Sequence, residues 1–196
     1  MAGKKVNVKN KKDDLKIGLK ISGAFIGVIA LILIFVSFQS STYRIERAII
    51  VTAPAAAIFA NVNDFHRWQV WAPWEKLDPA MKRTFEGPQA GTGSVYRWVG
   101  NDKVGAGSMT MTETKPKELI QIKTELLKPT AENTTSEITF KDNGDKTVLV
   151  TWAKSGSLTY TDKLINLFSD SSKEVGTNMQ NGLEELKWTT QGRPKS

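Results

Sequence analysis

Cysteine is absent from this chain of 196 residues, and histidine occurs once, at His66. Without cysteine there is no disulfide framework, no thiolate nucleophile and no sulfur ligand for a metal. A single histidine excludes His-rich zinc centres and the His-x-x-x-His pairing of metalloproteases. Beside Arg67 and Trp68, it reads as an ordinary surface residue. Phosphate-cradling loops are missing as well. Gly91-Thr92-Gly93-Ser94 has neither the G-x-x-x-x-G-K-S/T nor the G-x-G-x-x-G spacing and precedes a strand pattern, so it reads as a turn. Ser155-Gly156-Ser157 does not satisfy the G-x-S-x-G of a nucleophile elbow. Glu184 and Glu185 are adjacent and diverge on a helix, as solvated charges do. These features assign no catalytic residue, no cofactor and no metal ligand.

A different absence organises the chain. Ile21–Phe38 is eighteen residues without a charge, twelve of them Leu, Ile, Val or Phe. Such a run reads as a transmembrane helix. At about 1.5 Å per residue it spans roughly 27 Å, and Ile17–Lys20, with Lys20 snorkelling outward, extends it to about 33 Å, the scale of a bilayer core. Before Ile21 seven lysines face two aspartates, and from Gln39 onward 20 basic residues face 18 acidic ones. The net charge of +7 therefore divides as 7 − 2 = +5 in the tail and 20 − 18 = +2 in the rest. So neutral a domain lacks the basic face that nucleic-acid binding needs. The lysine asymmetry keeps residues 1–20 in the cytoplasm and sends the domain across, which predicts a single-pass inner-membrane protein with a periplasmic domain. Ser37-Phe38-Gln39-Ser40-Ser41 is a poor cleavage site, and the apolar run is longer than a signal peptide requires, so the anchor is expected to stay attached.

Beyond residue 38 the pattern is that of one domain, 43–188, with a polar tail at 189–196. Tyr43–Val51 reads as a strand ending at Thr52-Ala53-Pro54, with Thr52 a plausible N-cap for a short helix over 54–62. Asn63-Asp64 starts a second short segment leading into Trp68, Trp71 and Trp74. Six β-rich runs follow: Met81–Phe85, Ser94–Val99, Gly105–Glu113, Leu119–Leu127, Asn133–Lys141 and Lys146–Ser155. Asn143-Gly144 predicts a tight hairpin between the last two. Alternation puts Tyr96 with Trp98 on one face, Met109 with Met111, Ile138 with Phe140, and Val148 and Val150 with Trp152. One covered and one wet face is the expectation for a curved antiparallel sheet. Thr161–Lys187 has helical spacing, through Leu164, Phe168, Val175, Met179, Leu183 and Leu186. It is either one helix or a short and a long one broken near Ser169.

The order strand, two short helices, six strands, long helix resembles the START/Bet v 1-like (SRPBCC) superfamily. The likeness is greatest to its bacterial polyketide cyclase/dehydrase and lipid-transport branch. It is carried by Ala53-Pro54, the Asn63-Asp64…Trp68…Trp71…Pro73-Trp74 block, Gly87–Trp98 and the helix with Gly182-Leu183-Glu184-Glu185-Leu186-Lys187. The resemblance implies an α+β helix-grip fold, a curved seven-stranded antiparallel sheet around the C-terminal helix, with a cavity between them. It implies a ligand of the lipid, quinone or polyketide kind and carries over no catalytic residue. On this reading Tyr96, Trp98, Met109, Met111, Trp152, Phe168 and Met179 line the cavity, with Trp71 and Trp74 near its mouth. The expected function is non-catalytic binding of a hydrophobic small molecule or lipid by a membrane-anchored domain. The alternatives are a cyclase or dehydratase using Tyr96, and a protein-interaction module whose interior is full.

Overall fold

The computed structural model describes residues 8–167 and 171–193, with residues 8–15 and 171 given by their backbone. Helix α1 (Val8–Ser37) contains the apolar stretch Lys16–Ser37, long enough to cross a membrane, with a mean hydropathy of 2.6 over its most apolar 18 residues. The chain then enters a seven-stranded antiparallel sheet in the order β1-β7-β6-β5-β4-β3-β2. The strands are β1 (Thr42–Val51), β2 (Lys82–Glu86), β3 (Val95–Val99), β4 (Ala106–Lys115), β5 (Leu119–Lys128), β6 (Glu132–Asp142) and β7 (Val148–Ser157). Consecutive strands from β2 to β7 are neighbours, and β1 closes the order against β7.

Period-two alternation decides what the sheet covers. Ile138 and Phe140 on β6, Val148, Val150 and Trp152 on β7, and Ile120 and Ile122 on β5 all turn to the same buried side. Helix α5 (Ser171–Gln191) crosses that side and buries Met179, Leu183 and Leu186 against it. Each such aliphatic side chain removed from water contributes about 1.5–3 kcal/mol. Gly182 marks the closest approach: a β-carbon there would lie 3.1 Å from Pro73 and from the Trp152 ring. Helix α2 (Ala55–Asn63), which buries Ile58 and Val62, and the short α3 (Trp68–Trp71) fill one end of the grip.

The sequence reading differs from this fold in its helix ends. Helix α2 begins at Ala55 with Pro54 as its N-cap, and Thr52 instead donates its backbone N–H to Gln191 at 2.8 Å. The C-terminal helical region takes the second of its two expected forms, a short helix and a long one, α4 (Tyr160–Asn166) and α5. Helix α5 continues past Lys187 into the segment expected to be a loose polar tail. There Gln191 reaches Thr52, and Thr190 accepts from Asn61 at 3.0 Å. The β6–β7 connection spans Asn143–Thr147 and is wider than a two-residue hairpin. Asp142 and Asp145 each accept a backbone N–H within it, and Gly144 takes φ +80°.

Candidate functional site

Between α5 and the sheet lies a cavity of about 240 Å³. Its floor is read from the strand register as three rows running across β7, β6, β5 and β4. Lys154, Ser136, Ile122 and Met111 stand opposite one another, then Gly156, Thr134, Thr124 and Met109, then Glu132, Leu126 and Gly107 on the last three strands reached. All of these except Met111, Gly156 and Gly107 line the hollow. The floor is therefore split lengthwise. The β6–β7 side presents Lys154, Ser136, Thr134 and Glu132, while the β4–β5 side presents Ile122, Met109 and Leu126, with Thr124 its one polar residue. Trp68, Trp74, Trp98 and Trp152 form most of the aromatic wall, and Asn178 reaches in from α5.

The polar side carries unmet hydrogen-bonding capacity. Among the described residues, four buried side-chain polar atoms lack a partner: Trp74 Nε1, Thr134 Oγ1, Trp152 Nε1 and Asn63 Oδ1. The first three belong to cavity-lining residues. By contrast Trp68, Trp71 and Trp98 donate to the carbonyls of Val62, Asn61 and Val104 at 2.8, 3.1 and 2.9 Å. The Trp74 N–H lies near the Tyr96 phenol but outside hydrogen-bond geometry with it. Glu132 accepts the Tyr43 hydroxyl at 2.6 Å. Tyr43 reaches it by lying across Gly156, where a β-carbon would come within 2.8 Å of the ring. Burial, then the bond to Glu132, pushes the Tyr43 pKa well above its ordinary 10.

The sequence-derived candidates separate into two groups. Trp74, Trp98, Met109 and Trp152 line the cavity. Trp71, Tyr96, Met111 and Met179 are buried in the surrounding core and do not border it. Phe168 lies outside the described residues. Tyr96 donates its hydroxyl to Glu75 at 2.8 Å, and Glu75 in turn holds Arg83 at 2.6 Å. Burial and Glu75 push the Tyr96 pKa above 10, so its proton is committed to a structural bond. Sequence reasoning passed over Thr124, Glu132, Thr134, Ser136 and Lys154. Their signal was present: they continue the inward phase of Ile122, Ile138 and Trp152 with polar residues on three adjacent strands.

Two other features are structural. His66 stacks on Phe85 with ring centroids 4.0 Å apart and bonds Asp64 through Nδ1 at 2.9 Å. A larger depression of about 770 Å³ lies on the opposite, wet face of the sheet, lined by Arg44, Gln121, Lys123, Thr135 and Ser155. Among the described residues no three metal-capable side chains gather.

The profile of the family described as polyketide cyclase / dehydrase and lipid transport matches residues 42–189. The chain belongs to this family. Solved structures share its fold at low identity. The Aha1 dimer from Colwellia psychrerythraea is 15% identical with a TM-score of 0.57, over 78% of this chain and 99% of that one. CalU16 from Micromonospora echinospora is 14% identical with a TM-score of 0.51, over 80% and 87%. The di-domain ARO/CYC BexL from the BE-7585A biosynthetic pathway is 17% identical with a TM-score of 0.58, over 92% of this chain and 61% of that one. Comparison with curated protein sequences finds no match. This member of the polyketide cyclase/dehydrase and lipid-transport family thus has the helix-grip fold, preceded by one apolar helix.

Proposed function

We propose that this protein is a membrane-anchored binding domain, held outside the cytoplasm, for a hydrophobic ligand that carries an accepting oxygen on one edge. The observation that carries the reading is the divided floor of the cavity. Trp98, Met109, Ile122 and Leu126 favour an apolar body by burial, about 25 cal/mol per Å². Thr134 and Trp152 border the hollow and each carries a buried polar atom without a partner, a donor that a carbonyl or carboxylate oxygen would satisfy on displacing the side chains around it. At about 240 Å³ the hollow is smaller than the roughly 300–1,000 Å³ of sites that engulf drug-sized ligands. It suits a ring system or the end of a longer molecule. The Lys16–Ser37 stretch and the lysines before it support an anchor with its N-terminus in the cytoplasm.

Native mass spectrometry of the full chain in nanodiscs tests this reading. A co-purifying mass that is lost in Trp98→Ala supports it and identifies the ligand class. An empty spectrum, together with no uptake of an apolar fluorescent probe, overturns it and favours an interaction module. A cyclase or dehydratase is the second reading, favoured by Glu132 and Lys154, two ionisable groups bordering the same cavity. Turnover of a bound ketone that disappears in Glu132→Gln would establish it.

A further inference from the structure

The junction between α1 and the domain is a packed contact. Strand β7 ends at Ser157, and Leu158 donates its N–H to the Ser41 carbonyl at 2.8 Å. Helix α4 starts two residues later, closed by a capping box between Thr159 and Asp162. Lys163 is only 6% exposed, and its ammonium donates to the Gln39 carbonyl and the Ser41 hydroxyl, both at 2.8 Å. It therefore caps the chain just beyond the last turn of α1, where carbonyls lack helical partners and a cation is favoured. Tyr160 donates its hydroxyl to the Leu33 carbonyl at 2.7 Å. Val36 is fully buried in a stretch whose other large apolar side chains are exposed.

We infer that α4 rests in the headgroup region of the outer leaflet and fixes the domain against the bilayer. This rests on the reading of α1 as a membrane anchor. Leu33 lies four residues before the end of α1, about 6 Å along its axis. The Tyr160 phenol thus sits at the depth of the last turn of the span, where aromatic belts meet the interface. Around it Tyr160 is 43% exposed, Ile165 54% and Leu167 36%, three large apolar side chains on or just after a seven-residue helix. Continuity with the span selects the bilayer as the surface that covers them. The same contact orients the cavity. Thr42 pairs with Ser157, and Tyr43, Gly156 and Thr134 share the next row, so the polar floor lies at the membrane end of the sheet.

The absence of native cysteine makes the test direct. Single substitutions Ile29→Cys, Ile165→Cys and Glu118→Cys in the full chain carry an environment-sensitive fluorophore, in nanodiscs containing lipid spin-labelled near the headgroup or deep in the acyl chain. Glu118 sits in the turn at the far end of the sheet. The expected result is strong quenching at Ile165 by the shallow label, at Ile29 by the deep label, and none at Glu118. Lys163→Met is expected to weaken quenching at Ile165 and leave Ile29 unchanged. Quenching at Ile29 with Ile165 resembling Glu118 overturns the inference and spares the anchor. A label at Ile165 shielded from both lipid and aqueous quenchers assigns the surface to a protein partner and also overturns it. An unquenched Ile29 overturns the anchor itself.

Discussion

The inner face of the sheet holds two tyrosine–carboxylate pairs in different surroundings. Tyr96 and Glu75 are sealed in the core, with Arg83 supplying the opposite charge through two contacts to Glu75 Oε2, at 2.8 and 2.6 Å. Tyr43 and Glu132 lie at the end of the sheet next to α1, and Glu132 borders the cavity. The first pair belongs to a filled region, where Phe65 and Phe85 pack on the Tyr96 ring. The second belongs to a region where α5 does not descend to the floor. One fold thus uses the same hydrogen bond twice, to lock an interior in one place and to shape the edge of a cavity in the other.

The largest expected contrast comes from removing the carboxylates. Glu75→Ala leaves Arg83 and the Tyr96 hydroxyl without their partner in the core, and is expected to cost about 3–5 kcal/mol. Glu132→Ala strands only a phenol and is expected to cost about 1 kcal/mol. Denaturant titration of the full chain in micelles, followed by tryptophan fluorescence, compares the two; equal losses would erase the distinction. Next come the two inward isoleucines of β5. Ile120→Ala empties a packed position and is expected to cost about 2–5 kcal/mol. Ile122→Ala, two residues on, widens an existing hollow, and should fall at the low end of that range while admitting a bulkier ligand.

Smaller still is Thr134→Val. It removes an unpartnered buried hydroxyl, so stability without ligand should stay within about 1 kcal/mol of the parent, on either side. Binding of 1-tetralone relative to tetralin, measured by calorimetry against empty nanodiscs, should weaken by about tenfold, equivalent to about 1.4 kcal/mol. An unchanged ratio removes Thr134 from recognition. The last effect is confined to alkaline conditions. Both tyrosines have folded-state pKa values raised above 10, so the folded state holds those protons more tightly than the unfolded chain does. Their contribution is fully present below pH 10 and is lost as pH rises through the folded values. Tyr43→Phe and Tyr96→Phe should each flatten the decline in stability above pH 10.

The long apolar helix, the strands and the helix that grips them were legible because each rests on a local period. Ile21–Phe38 is continuously apolar, and Ile138 with Phe140, or Val148 with Val150, mark the covered face. The lining of the cavity was less legible because it depends on how far α5 sits above each strand. Met111 and Tyr96 have the right composition and phase, yet the former is packed into the floor and the latter is turned to Glu75. Thr134, Ser136 and Lys154 are in the same phase as their apolar neighbours. Their meaning emerges only when the register aligns them across β6 and β7. Tyr160 and Lys163 in α4 carried no sequence signal of their own, since they act on Leu33 and Gln39, more than 120 positions earlier.

The pairing of β1 with β7 has a kinetic consequence. Thr42 finds its partner in Ser157, the last residue of the last strand, and this pairing runs the full length of both strands. As the first strand made, β1 waits with an unpaired edge until β7, the last strand, is available. Such non-local closure predicts slow folding and a window of vulnerability to strand-to-strand aggregation. The charged residues Arg44, Glu46 and Arg47 along β1 are well placed to blunt that edge while it waits.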